Sequence, residues 1–191
     1  MPTFRLEFDA ACVKRLAAAF GTSAGDGAPT AAGARARDRG YYTRGDALIV
    51  YRWKSRRSAG RFAVVDPRTV RAVTARAFAA TDEAVKIELM TSLTGVGLPV
   101  AAALLHFAFP DSYPLLDFRA LESLGVKGRS SYPPSFWVEY VDFCRRLARE
   151  LSVSLRTLDK ALWQYSKAYG SDRTAPSEPA RPCRAEPTTC G

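Results

Sequence analysis

Between Leu93 and Pro99 the chain reads Leu-Thr-Gly-Val-Gly-Leu-Pro, and here residue types and spacing suit anion chemistry best. Glycines on either side of one apolar residue let the backbone turn tightly through positive φ. With no Cβ in the way, the peptide N–H groups of Gly95, Val96, Gly97 and Leu98 can come close to a phosphate. Pro99 suits the first turn of a following helix, LPVAAALLHFAF, whose positive end would point the same way. Contacts of this kind grip a nucleic-acid backbone and read no base sequence. Beyond a turn at Pro110-Asp111-Ser112 and an apolar run from Tyr113 to Leu116 stands Asp117, 20 positions after Gly97. Its carboxylate is expected to return toward the hairpin and face a nucleotide held there. Asp117 also precedes FRALESLG and can serve as the N-cap of that helix, a compatible use.

The pattern L-x-G-V-G-x-x-x-A at Leu93, Gly95, Val96, Gly97 and Ala101, followed by a helix, a loop and Asp117, resembles the helix-hairpin-helix DNA glycosylases. The resemblance is specific over residues 66 to 125 and general in the flanking helices. The adjacent Trp53 and Lys54 are similar to a Trp-Lys segment in a bacterial branch that shares this hairpin region. The resemblance implies a mainly α, single-domain fold and double-stranded DNA as the partner, held by its backbone. It also implies that Asp117 is the catalytic carboxylate, stabilising an oxocarbenium-like sugar as the base leaves. In relatives that also cut the strand, a lysine stands second after the hairpin glycine; Pro99 stands there in this chain and offers no amine nucleophile. Base excision without strand cleavage is therefore the implied activity. Lys54 could substitute for the missing lysine, with phosphate contact its simpler role.

Net charge is +9, and it is unevenly spread. Residues 41 to 80 carry nine Lys/Arg against two acids, whereas residues 81 to 120, which contain the hairpin, carry two against five. The basic patch centres on YRWKSRRSAGR, with Arg52, Lys54, Arg56, Arg57 and Arg61. Cations interleaved with a ring suit a nucleic-acid groove, because they release counterions from phosphates while the ring stacks on a base. Trp53, Tyr41 and Tyr42 are the candidate walls of a base pocket. Trp137 and Trp163, on apolar helical stripes, are expected in the core, as is His106, the one histidine.

Cys12, Cys144, Cys183 and Cys190 contain no C-x-x-C pair, so neither an iron–sulfur cluster nor a zinc site is expected, and no metal or other cofactor is implied. Scattered cysteines suit free thiols in a reducing compartment. No apolar run is long enough for a membrane span and the N-terminal segment has no secretory pattern. The expectation is a cytoplasmic, monomeric protein, nucleoid-associated when bound to DNA.

At 191 residues one core is expected. Residues 9 to 20 read as a helix started by Asp9, and residues 21 to 40, rich in Gly and Ala, as a flexible linker. A helical domain is expected over residues 41 to 169, with Thr43, Asp66 and Thr81 as helix starts and LIVY open between helix and strand. Leu155, Leu158, Leu162 and Tyr165 form an apolar stripe, and residues 170 to 191 lack any such period and read as disordered. Two readings compete with an enzyme. One is a non-catalytic DNA-binding or accessory factor that keeps the hairpin; the other is a helical interaction domain whose glycines are structural. A carboxylate near phosphates repels them and serves no pure binder, which sets Asp117 against the first.

Overall fold

The computed structural model describes residues 4–21, 25–128 and 132–170. Helix accounts for 71% of the described residues, and no strand occurs among them. The α-helices are α1 (Val13–Ala19), α2 (Gly27–Arg39), α3 (Arg44–Ser55), α4 (Ala59–Ala63), α5 (Pro67–Ala79), α6 (Glu83–Thr91), α7 (Leu98–Ala108), α8 (Phe118–Ser123), α9 (Pro134–Glu150) and α10 (Leu155–Tyr169). LIVY is therefore helical. The tail expected to be disordered lies outside the described residues, apart from Gly170, which ends α10.

Several helices begin where a short polar side chain takes an orphan N–H. Asp9 caps the turn before α1, Thr43 caps α3, Asp66 caps α5 and Ser154 caps α10, each worth about 1 kcal/mol. At α6 the cap is Asp82 and not Thr81, because the Asp82 carboxylate reaches the N–H groups of both Ala84 and Val85.

The apolar helix α7 is the axis of the core. All its residues but Pro99 are buried, as expected of a helix that is hydrophobic on every side. Helices α2, α3 and α6 pack on it, α5 and α9 cover α6, and α1, α8 and α9 pack on α10. The chain start is tied to the end of α8 by Arg5 N–H to the Leu124 carbonyl and Glu7 N–H to the Ser123 carbonyl.

The expected linker at residues 21–40 is a correction: most of it is α2. Its inner face is Pro29, Ala32, Gly33 and Ala36, all buried against the bundle. Small residues give little hydrophobic signal in sequence, yet they let two backbones approach closely. A Cβ on Gly33 would stand 2.0 Å from the Phe107 carbonyl oxygen of α7. Polar contacts hold the outer side, where Arg35 and Arg39 both bond the Asp46 carboxylate of α3. Burial works to raise the Asp46 pKa, but hydrogen bonds from Arg35, Arg39 and Thr43 prevail and hold it below the usual carboxylate value. Left-handed Gly40, at φ +80°, ends α2.

Of the cysteines expected to be free thiols, Cys144 is free and buried, Cys12 is disulfide-bonded, and Cys183 and Cys190 lie outside the described residues. Among the described residues, no helix is long and apolar enough to cross a membrane.

Candidate functional site

Helices α6 and α7 are joined by a turn through Ser92–Gly97, and its two glycines differ. Gly95 takes the left-handed conformation, φ +82°. Gly97 does not: at φ −87° and ψ 169° it is the extended N-cap of α7, a conformation open to any residue. The positive φ expected at both glycines therefore holds at one. Val96 N–H closes the turn onto the Leu93 carbonyl, so it is already engaged. Val96 and Leu98 bury their side chains, whereas Gly95 and Gly97 lie on the surface.

The basic segment comes to this turn. Tyr51 on α3 donates its hydroxyl to the Gly95 carbonyl at 2.6 Å, and a Cβ on Gly95 would sit 3.0 Å from Arg61 Cβ. A turn poor in cations in its own sequence thus has Arg61 of α4 beside it. Arg52, Arg56 and Arg57 are exposed. Lys54 is not among the exposed cations. It points inward, its Nζ 3.5 Å from Asp117 Oδ2, with 12% of the lysine and 22% of the aspartate side chain open to solvent.

Asp117 is the N-cap read from its position, and it has a second partner that was not. Its Oδ1 accepts the Ala120 N–H as the N-cap of α8, and its Oδ2 faces Lys54. Tyr51 and Lys54 lie three residues apart, on one face of α3 and about 4.5 Å apart along its axis. A single helical turn of α3 therefore holds the α6–α7 turn through Tyr51 and the carboxylate through Lys54.

Around this pair lies a polar network that sequence reasoning missed. Trp53 Nε1 donates to Asp26 Oδ1 at 3.1 Å, and its ring meets Phe107 edge-on at 4.8 Å. Arg156 of α10 bonds both Asp26 and Asp159, and its guanidinium lies 6.0 Å from the Trp53 ring. Burial pushes the Asp159 carboxyl up to about 7; Arg156 opposes the shift, Asp117 adds to it and Lys54 opposes it. Asp26 was hidden in the supposed linker. Arg156 and Asp159 stand on the polar side of a stripe read only for its leucines, so no sequence signal marked them.

The candidate pocket rings separate. Trp53 is half-buried beside the pair. Tyr42 is a correction: it is fully buried, donating its hydroxyl to the Leu104 carbonyl, and walls no open pocket. Tyr41 lies under the guanidinium of Arg71 at 4.6 Å. Trp137 and His106 are buried as expected, and Trp163 is half-buried. A surface depression bounded by Asp111, Arg145, Arg149 and Ser154 includes none of the site residues.

Fold and site together define a mainly helical domain carrying a part-buried lysine–aspartate pair braced against a glycine turn. Compared with protein-family models, with curated proteins and with solved structures, the chain matches none.

Proposed function

We propose that the protein binds DNA through the α6–α7 turn and the Arg52, Arg56 and Arg57 surface and excises a base, with Asp117 as the catalytic carboxylate. The observation that supports this reading is the bracing by α3, which links the hairpin through Tyr51–Gly95 and the carboxylate through Lys54–Asp117. In the reaction the C1′–N bond breaks heterolytically and its electron pair leaves with the base. The sugar becomes positive, the Asp117 carboxylate stabilises it, and water adds at C1′, its surplus proton neutralising the departed base. Lys54 and the Ala120 N–H hold the carboxylate in place. Pro99 removes the amine from the hairpin helix, and Lys54, engaged by a carboxylate, is not a free nucleophile. The product is then an intact abasic site.

The second reading, a DNA-binding factor without catalysis, is favoured by one observation: both Asp117 oxygens already have structural partners. A panel of duplexes, each with one altered or mispaired base, treated with alkali after incubation, separates the two. Excision of one base, with strand breaks only after alkali, supports the enzyme. Asp117→Asn, which can still cap α8, should bind DNA as wild type does and lose about 100-fold or more in rate. Wild-type excision by a folded Asp117→Asn protein would remove the mechanism. A borohydride-trapped adduct would remove its monofunctional form and point to Lys54.

A further inference from the structure

Directly after Asp117 stands Phe118, a large apolar side chain with 63% of its surface open. Its ring is the first of a series in which rings and cations alternate. The Arg119 guanidinium lies 5.0 Å from the Phe118 ring and 5.3 Å from that of Trp163. Lys167 Nζ lies 5.1 Å from Trp163, Phe20 meets Trp163 edge-on at 5.1 Å, and Lys160 Nζ stands 5.7 Å from Phe20. Lys160, Trp163 and Lys167 recur at helical spacing on α10, on a stripe separate from its buried Leu155, Leu158 and Leu162. Among the described residues, no ion pair uses Arg119, Lys160 or Lys167.

A largely exposed phenylalanine and a half-buried tryptophan, flanked by cations that no ion pair among the described residues neutralises, complement a chain of flat bases joined by phosphates. An undistorted duplex offers such rings little, since it presents phosphates and base edges and keeps base faces stacked. An unpaired strand offers both. We propose that Phe118, Arg119, Trp163 and Lys167 form a stacking platform for unpaired single-stranded DNA. The platform continues from the site at Asp117, and it rests on the base-excision reading only for what lies at that end of the strand. It gives the protein a substrate class, DNA locally opened or single-stranded, and a reason for an exposed phenylalanine beside the carboxylate.

Fluorescence anisotropy of end-labelled oligothymidylate of about 15 nucleotides, beside an undamaged duplex of the same length, tests it. Phe118→Ala and Trp163→Leu should each weaken oligothymidylate binding by about fivefold or more and leave duplex binding within about twofold. Arg119→Gln with Lys167→Gln should weaken the same ligand. If Trp163→Leu fails to fold, Phe118→Ala decides, because that ring makes little of the core. A smaller loss, an equal loss on the duplex, or no binding of oligothymidylate by the wild-type protein would overturn the platform. Asp117→Asn should bind oligothymidylate as wild type does. Loss of excision alone therefore bears on Asp117, and loss of unpaired-strand binding alone bears on the platform.

Discussion

Lys54 meets Asp117 across 63 positions of chain, and that meeting changes what each residue can do. A lysine read as a phosphate contact becomes the partner of the carboxylate, and a carboxylate that would repel phosphate gains a cation beside it. His106 carries a second consequence. Burial pushes its imidazole down to about 4, while its bond to the Tyr113 carbonyl works the other way. The unfolded chain takes up the proton first, near 6.5, so His106 lets stability stand in full above that pH. The stability is lost as pH falls toward 4, by about 3 kcal/mol. Asp159, raised by burial to about 7, acts in the opposite sense: its contribution is full below about 3.8 and is lost as pH rises through 7. The difference between wild type and His106→Gln isolates the histidine. Urea unfolding at pH 7 and pH 5 should show a shallower fall toward acid in His106→Gln than in wild type; equal falls would mean that His106 protonates in the fold without cost.

At the scale of elements, α2 and the α6–α7 turn need glycine for different reasons. In an ordinary helix Gly→Ala stabilises by about 1 kcal/mol. At Gly33 the added methyl would overlap the backbone of α7, so Gly33→Ala should instead destabilise by about 2–3 kcal/mol. For a chain of this size that is a fall in Tm of about 4–12 °C by calorimetry; a rise would mean that α2 does not dock as described. In the turn, Gly95→Ala faces both a left-handed φ and the nearby Arg61, and should cost about 1–2 kcal/mol. Gly97→Ala meets only Pro99 Cδ at 3.9 Å and should melt like wild type. Weakened DNA binding by Gly97→Ala without loss of Tm would show that a ligand needs the space above that glycine.

For the whole molecule, the charge of +9 matters through where the fold displays it. Arg52, Arg56 and Arg57 are exposed, whereas Lys54 is turned inward. If these arginines each neutralise one phosphate, replacing all three with glutamine should reduce the slope of log K against log salt by about three. Lys54→Gln should leave the slope unchanged. Titrations of duplex DNA from low to physiological salt measure both; a slope that drops with Lys54→Gln would place that amine on the DNA backbone.

Local chemistry determined much of this in advance. Caps at Asp9, Thr43, Asp66 and Asp117 and the apolar period of α10 were legible because they act within a turn or two of chain. A tight glycine turn between two helices was legible as a spacing, at Gly95 though not at Gly97. Tertiary structure decided what depends on distant partners. It turned a Gly/Ala-rich stretch into α2, since the close approach that stabilises it exists only against α7. It placed Gly97 in an extended conformation, since a helix N-cap prevails there over the glycine's freedom. It buried Tyr42 and set Phe118 in the open beside Trp163. It also brought Lys54 from α3 to Asp117 at the head of α8, a pairing across chain-distant residues that no local period encodes.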